Sequence, residues 1–197
     1  MKTKTLLLFA LIVLLGSCGV THILTYEINI EEVRLNDEKL PYSAINGYVY
    51  ANDDFSITLI PNKKSISFII KNLSKNPYTI LWDESAIIDI EGISNKIVTE
   101  DTRFINSEKS IIPMIVAPYS TGKTTLFGLN QVNGYSDGWS LKELFPTRES
   151  KHIDRMESYV SSLNDSYHIQ TYIVIKKHDD TKMYLMTTFK YSNFRIK

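Results

Sequence analysis

The sequence predicts a mainly β fold, and three observations support this. Twelve tyrosines and eight phenylalanines, together with many Ile, Val and Thr residues, favour strands over helices. Short apolar segments of strand-like alternation follow one another, and turn-forming residues separate them every 8–12 residues, roughly the spacing of strands in a sandwich or barrel. Only one later segment has the period of a helix. These features are typical of an all-β sandwich or barrel.

The first element is a secretory signal. Lys2 and Lys4 precede an uninterrupted apolar run from Leu6 to Leu15. The run is too short to cross ~30 Å of hydrocarbon, which takes about twenty helical residues. A basic start, a short apolar core and small residues at its end are the pattern of a cleaved signal peptide.

The end of the signal, Leu15-Gly16-Ser17-Cys18, resembles the lipobox of bacterial lipoproteins. The resemblance implies cleavage before Cys18, which is the only cysteine, and fatty acylation of its thiol and amino group. More than one acyl chain anchors a protein stably. We therefore expect a signal peptide at 1–17, a lipidated cysteine and tether at 18–26, and a single β-sandwich domain at 27–197 that folds without disulfides.

Location and charge narrow the possible partners. The residues after Cys18 lack an acidic run that could direct surface export, so we expect the periplasmic side of the envelope rather than the cell surface. The chain has 22 basic and 22 acidic residues, and removal of Lys2 and Lys4 leaves a net charge of −2 (20 minus 22). Without a basic field, nucleic acid is not an expected partner.

The predicted strands begin with 26–35. A close series of strands follows at 55–60, 65–71, 78–82, 86–90, 95–99, 111–116 and 124–129. In segment 149–163 the apolar residues recur in steps of three and four, which predicts one short helix. Two long β-rich runs, 167–176 and 183–194, then form a closing hairpin.

Residues 117–124, APYSTGKT, fit a degenerate phosphate-binding P-loop. A working P-loop leads from a strand into a helix, whereas the residues that follow here predict another strand. The loop has one glycine, Gly122, and its Pro118 lacks an amide donor. We interpret the match as a chance turn, Pro118 to Lys123, between two strands, and we expect no nucleotide and no other cofactor.

Residues 68–104 resemble a group of small bacterial lipoproteins, common among Bacteroidota-like organisms, with an immunoglobulin-like sandwich. The features that carry the resemblance are Asn72, Trp82-Asp83, Asp89, Gly92, Ile112-Pro113 and Pro118, followed by Gly138-Trp139, Phe145-Pro146 and the aromatic closing strand 184–194. Pro118-Tyr119 stands where that group has a Pro-Gly turn. The resemblance implies an immunoglobulin-like antiparallel β-sandwich, here with one short helix near 149–163, and it implies no activity.

Candidate sites are few. Asp83, Glu84, Asp89 and Glu91 form the densest acidic cluster, which we interpret as turn chemistry and a solvated face rather than a calcium site. The spacing of His22, His152, His168 and His178 predicts no metal site. Trp82 is expected in the core. Tyr135 and Trp139 are candidate ligand-binding residues for a glycan or an envelope protein.

These observations favour a membrane-anchored envelope lipoprotein that acts as a non-catalytic binding or structural accessory module, with Cys18 lipidation, no catalytic residue and no metal. One alternative is an envelope hydrolase whose Ser, His and Asp residues are dispersed along the chain. Another is an assembly lipoprotein that docks on a membrane complex through an exposed apolar patch.

Overall fold

Strands make up most of the described chain. The computed structural model describes residues 21–41, 48–102, 110–135, 138–145 and 148–197, without the side chains of 48, 49, 134, 135, 138 and 139. The strands are β1 (His22–Leu35), β2 (Glu38–Lys39), β3 (Tyr48–Ala51), β4 (Phe55–Pro61), β5 (Ile66–Asn72), β6 (Tyr78–Ile80), β7 (Ala86–Ile88), β8 (Ser94–Thr99), β9 (Met114–Val116), β10 (Thr121–Gly128), β11 (Val132–Tyr135), β12 (Gly138–Leu141), β13 (Glu149–Ser150), β14 (Ser166–Lys176) and β15 (Lys182–Ile196). The helix α1 spans Ile153–Ser161.

The chain divides into two compact units. The larger unit comprises 27–146 and 165–192, and the smaller one comprises 1–26, 147–164 and 193–197. Strand β1 begins at His22, within the segment predicted as a tether, and so starts four residues before the predicted strand. Cys18 lies outside the described residues.

In the smaller unit, β13 pairs antiparallel with the start of β1, and α1 follows it. The predicted helix is present but shorter, because 149–150 are a strand. On its predicted apolar face, Met156 is buried, Tyr159 is half-buried, and Ile153 is exposed. The Arg148 guanidinium lies 4.6 Å from the centre of the Tyr159 ring. No helix within the described ranges combines the length and apolarity needed to cross a bilayer.

The larger unit is an antiparallel sheet with the strand order β1-β15-β14-β7-β8-β10-β5-β4-β3, in which β1 contributes its residues from Glu27 onward. Strand β6 joins this path at β14, and β9 pairs with β6. The predicted closing hairpin is confirmed, since β14 and β15 pair over their length from Ser166 opposite Ser192 to Lys176 opposite Lys182. Strands β11 and β12 form a separate hairpin.

Strand β8 connects two parts of this sheet by dividing its hydrogen bonds. Its first half, Ser94–Lys96, pairs with β7, whereas Ile97–Thr99 pairs with β10. In β4 and β5 the buried residues of one face alternate with mostly half-buried ones, as the period of two requires, whereas β10 ends in three consecutive buried residues. The prediction of a mainly β, antiparallel fold with a short helix is therefore confirmed.

Candidate functional site

The predicted strand 78–82 is interrupted at its end. Strand β6 ends at Ile80, a 3-10 turn spans Trp82–Glu84, and β7 begins at Ala86. Both strands pair with the same neighbour, β14, so the turn interrupts what would otherwise be one continuous strand alongside β14. The break places the Trp82 ring in the core, where it is 2% exposed and meets Phe68 edge to face at 5.5 Å.

Ser85 repairs the hydrogen bonding at this break. Its hydroxyl donates to the Leu81 carbonyl at 2.8 Å and accepts from the Val174 amide of β14 at 3.0 Å. A side-chain oxygen thus takes the place of a missing strand carbonyl, which satisfies a buried amide. The Trp-Asp-Glu-Ser sequence can therefore leave the strand without leaving a backbone donor unpaired.

Asp83, next to Trp82, fixes a distant segment. Its carboxylate accepts hydrogen bonds from the Ser110 hydroxyl and from the Ile111 amide at 2.9 Å, and it lies 3.0 Å from the Lys96 ammonium. Burial of the carboxylate opposes its ionisation, but the bonds from Ser110 and Ile111, together with Lys96, outweigh this effect and lower the pKa of Asp83. Asp83 therefore holds residues 110–111 in place as a carboxylate.

The segment held by Asp83 forms one wall of a cleft of about 480 Å³ over Trp82. The lining residues are Trp82, Thr99, Asp101, Thr102, Ser110, Ile111, Ile112, Pro113, Met114 and Thr124. The wall 111–114 is apolar, whereas Thr99 at the end of β8 and Thr124 within β10 contribute hydroxyl groups. An apolar cavity with a few polar groups is the usual character of a small-ligand or side-chain pocket.

Two threonines of this cleft differ in their hydrogen bonding. The hydroxyls of Thr99 and Thr102 lie 3.0 Å apart and satisfy each other. Thr124 is only 4% exposed, and its hydroxyl has no hydrogen-bond partner among the described residues. A buried hydroxyl without a partner costs about 1–3 kcal/mol, so an orphan at the edge of a cavity marks a place where a ligand could bind.

This segment and the residues that follow it expose large apolar side chains. Ile112 is 86% exposed, Ile115 is 73% exposed and Tyr119 is 72% exposed. We call these three residues the apolar ridge. Ile115 lies on β9, for which the only strand partner among the described residues is β6. Several exposed large apolar side chains within eight residues indicate an interaction surface more strongly than scattered ones do.

The turn that follows the ridge has a strained residue. The Ser120 amide donates to the Ala117 carbonyl, and Tyr119 between them has φ of +53°. A proline at the second position and a positive φ at the third describe a type II turn, whose third position favours glycine. Tyr119 thus adopts a backbone conformation that suits the Pro-Gly turn which the resemblance led us to expect.

The P-loop-like match ends in a strand. Residues 118–119 form the turn, and Gly122-Lys123-Thr124 lie within β10, which pairs with β5. The turn predicted from Pro118 to Lys123 is shorter, because Thr121 to Lys123 belong to β10, and the flanking strands β9 and β10 do not pair with each other. A Cβ at Gly122 would lie 2.8 Å from the Met114 sulfur, so close packing accounts for this glycine.

A second cleft of about 320 Å³ lies at the base of the β11–β12 hairpin. Asn130 and Gln131 line it from one side of the hairpin and Lys142 and Glu143 from the other. The Gln131 side chain accepts from the Gly128 amide at 2.7 Å and donates to the Lys142 carbonyl at 3.1 Å, which braces this base.

The candidate residues Tyr135 and Trp139 belong to this hairpin. In its register Gly134 lies opposite Trp139, and Tyr135 lies opposite Gly138. Their side chains lie outside the described part of the structure.

The acidic cluster of the sequence is dispersed. Glu84 lies 2.7 Å from the Lys182 ammonium, whereas Asp83 belongs to the network described above. Asp89 accepts from the amides of Glu91 and Ile93, and its second oxygen accepts from Asn95 and Asn130. Among the described residues, no group of three or more His, Cys, Asp or Glu side chains could hold a metal ion.

The histidines lie apart from one another along the described chain. His22 begins β1, His152 directly precedes α1, and His178 lies in the β14–β15 turn. His168 on β14 has its Nε2 atom 3.0 Å from a carboxylate oxygen of Glu31. None of the four is among the described residues that line the two clefts.

Sequence reasoning did not find the larger cleft. Its residues come from four separate stretches of chain, 82, 99–102, 110–114 and 124, and none forms a recognisable motif. Comparison of the chain with protein-family models, with curated proteins and with solved structures found no match.

Proposed function

We propose that the protein is a lipid-anchored accessory protein of a bacterial cell envelope, whose larger unit binds a partner protein. The anchor is the fatty-acylated Cys18 after removal of residues 1–17, and the periplasmic side of the membrane is its expected location. The observation that carries the binding role is the cleft over Trp82 together with the exposed apolar ridge, of which Ile112 lines that cleft.

The apolar ridge supports docking on a protein complex, the third function considered from the sequence. Exposed isoleucines cost free energy in water, at about 25 cal/mol for each Å² of apolar surface that a partner would bury. Asp83 supports the same role because it fixes the wall at Ser110 and Ile111, so that little ordering is needed on binding. Tyr135 and Trp139 are proposed as a second contact, for a glycan or a protein.

The immunoglobulin-like sandwich belongs to this proposal. Strand β8 supports the sandwich, because it pairs with β7 through one half and with β10 through the other. Strands divide their pairing in this way when they pass from one sheet of a sandwich to the other. The resemblance of residues 68–104 to small envelope lipoproteins supports the same fold.

The anchor and the docking role can be tested in the native cell. Metabolic labelling with an alkyne-tagged fatty acid should mark the wild type and leave Cys18→Ser unlabelled and in the soluble fraction. A photo-crosslinking residue at Ile112 should give a discrete crosslinked product, and one at Ile93, an exposed isoleucine of the second cleft, should not.

A charge placed in the cleft wall provides the specificity control. Met114→Glu should abolish the product from position 112, provided that its thermal unfolding shows a folded protein. Equal crosslinking from positions 112 and 93, or a product that persists in Met114→Glu, would contradict docking at this cleft.

A further inference from the structure

The larger cleft is lined by two polar side chains for which the described residues supply no partner, Asp101 and Thr124. Asp101 is the only ionisable side chain among the described residues that line it, and no lysine, arginine or histidine accompanies it there. Asp101 is exposed and has neither a hydrogen bond nor an ion pair with a described residue. Among the described residues that line this cleft, the only formal charge is therefore the negative charge of Asp101.

The second unpartnered group lies deeper. Thr124 is on β10, on the face that also buries Leu126, and its hydroxyl is an orphan. The space above Trp82 is bounded on its other side by the apolar wall 111–114. A group that enters this space thus meets apolar walls, one free hydroxyl and a carboxylate.

We infer that the cleft binds an extended polypeptide segment of the partner, in which an apolar side chain fills the space over Trp82 and an adjacent basic side chain pairs with Asp101. This inference rests on the proposed docking function and specifies its ligand. Charge complementarity with Asp101 favours a lysine or arginine and disfavours a carboxylate or phosphate. The Thr124 hydroxyl bonds to a polar group of the bound segment, which removes its desolvation cost.

Two blocked, fluorescein-labelled tetrapeptides, Leu-Val-Leu-Lys and Leu-Val-Leu-Glu, test the inference. Binding is measured by fluorescence anisotropy with the full-length lipoprotein in nanodiscs, and empty nanodiscs serve as the blank. We expect the lysine peptide to bind about fivefold more tightly than the glutamate peptide. An exposed charge pair contributes about 0.5 kcal/mol, and here it is an attraction for the lysine peptide and a repulsion for the glutamate peptide, so the two affinities differ by about 1 kcal/mol.

Variants test the contributions of Asp101 and Thr124 to peptide binding. Asp101→Asn should remove the difference between the peptides, and Glu91→Gln, a carboxylate of the second cleft, should leave it unchanged. Thr124→Val should weaken both peptides by about threefold or more through the lost hydrogen bond.

Several results would overturn the inference. Equal affinity for the two peptides, or a preference that survives Asp101→Asn, would exclude the role of Asp101. Octylammonium that displaces the lysine peptide at an equal concentration would indicate an amphiphile rather than a polypeptide. If neither peptide binds while crosslinking from position 112 persists, the ligand class is wrong and the docking function stands. If neither peptide binds and crosslinking from position 112 is also absent, the docking function is wrong too.

Discussion

Thr99 and Thr124 line the same cleft, and among the described residues only Thr99 has a partner for its hydroxyl, the hydroxyl of Thr102 at 3.0 Å. Both threonines are buried, so the two sites form a matched pair in which one hydroxyl is satisfied and the other is not. The difference makes the contribution of the Thr99 hydroxyl to stability measurable against that of Thr124.

Replacement of each threonine by the isosteric valine should therefore have opposite effects. Thr124→Val should leave the free energy of unfolding unchanged or raise it by up to about 1 kcal/mol, because it removes an unpaired polar group. Thr99→Val should lower it by about 1 kcal/mol, because it leaves Thr102 without its bond. Urea unfolding of both variants provides the measurement, and a loss in Thr124→Val as large as in Thr99→Val would show that its hydroxyl is satisfied.

Asp83 is expected to hold the cleft wall. Asp83→Ala leaves the Ile111 amide and the Ser110 hydroxyl without their acceptor, and it should lower the free energy of unfolding by about 1–2 kcal/mol, a range reduced because the carboxylate is partly exposed. Glu84→Gln, at the neighbouring exposed ion pair with Lys182, is the control and should change little. Chemical denaturation of the two variants decides the matter: equal losses would argue against a special role for Asp83.

The contribution of Asp83 should also depend on pH. Hydrogen bonds from Ser110 and Ile111, with Lys96, outweigh burial and hold its pKa below the ordinary value of 3.8 in the folded protein. The ionised form therefore stabilises the fold above that value, and the contribution is lost as pH falls through the lower, folded-state pKa.

Unfolding curves from pH 7 to 2 check this dependence. The difference between wild type and Asp83→Ala should stay constant down to a pH of about 5 and shrink below about 4. A difference that grows on acidification would refute the assignment. The gap between wild type and Thr99→Val, which involves no titrating group, should not follow this course.

Tyr119 is expected to cost stability through its backbone. At φ of +53° a non-glycine residue is strained by about 1–2 kcal/mol, and the exposed ring contributes little packing in return. Tyr119→Gly should therefore be more stable than Tyr119→Ala by about 1 kcal/mol, since both lose the ring and only glycine relieves the strain. Thermal unfolding compares them; an alanine variant at least as stable as the glycine variant would show that the turn has relaxed.

Much of the β architecture followed from local pattern. Alternation and turn residues predicted β4 and β5 to within about a residue, and the β14–β15 hairpin was predicted because both strands adjoin a polar turn. Helix α1 was predicted from steps of three and four, although its first residues pair as β13. The break between β6 and β7 was predicted to begin two residues too late, because an apolar run that ends in tryptophan gives no local sign that the strand stops at Ile80.

By itself the sequence determined where most of the strands lie and that Trp82 is buried, because alternation and apolarity act over a few neighbouring residues. The tertiary structure alone decided that Asp83 reaches Ile111, that β9 pairs with β6 and not with β10, and that four separate stretches enclose one cleft. These relationships depend on which strands pair across long sequence separations, and that pairing depends on how the whole core is packed rather than on any local signal.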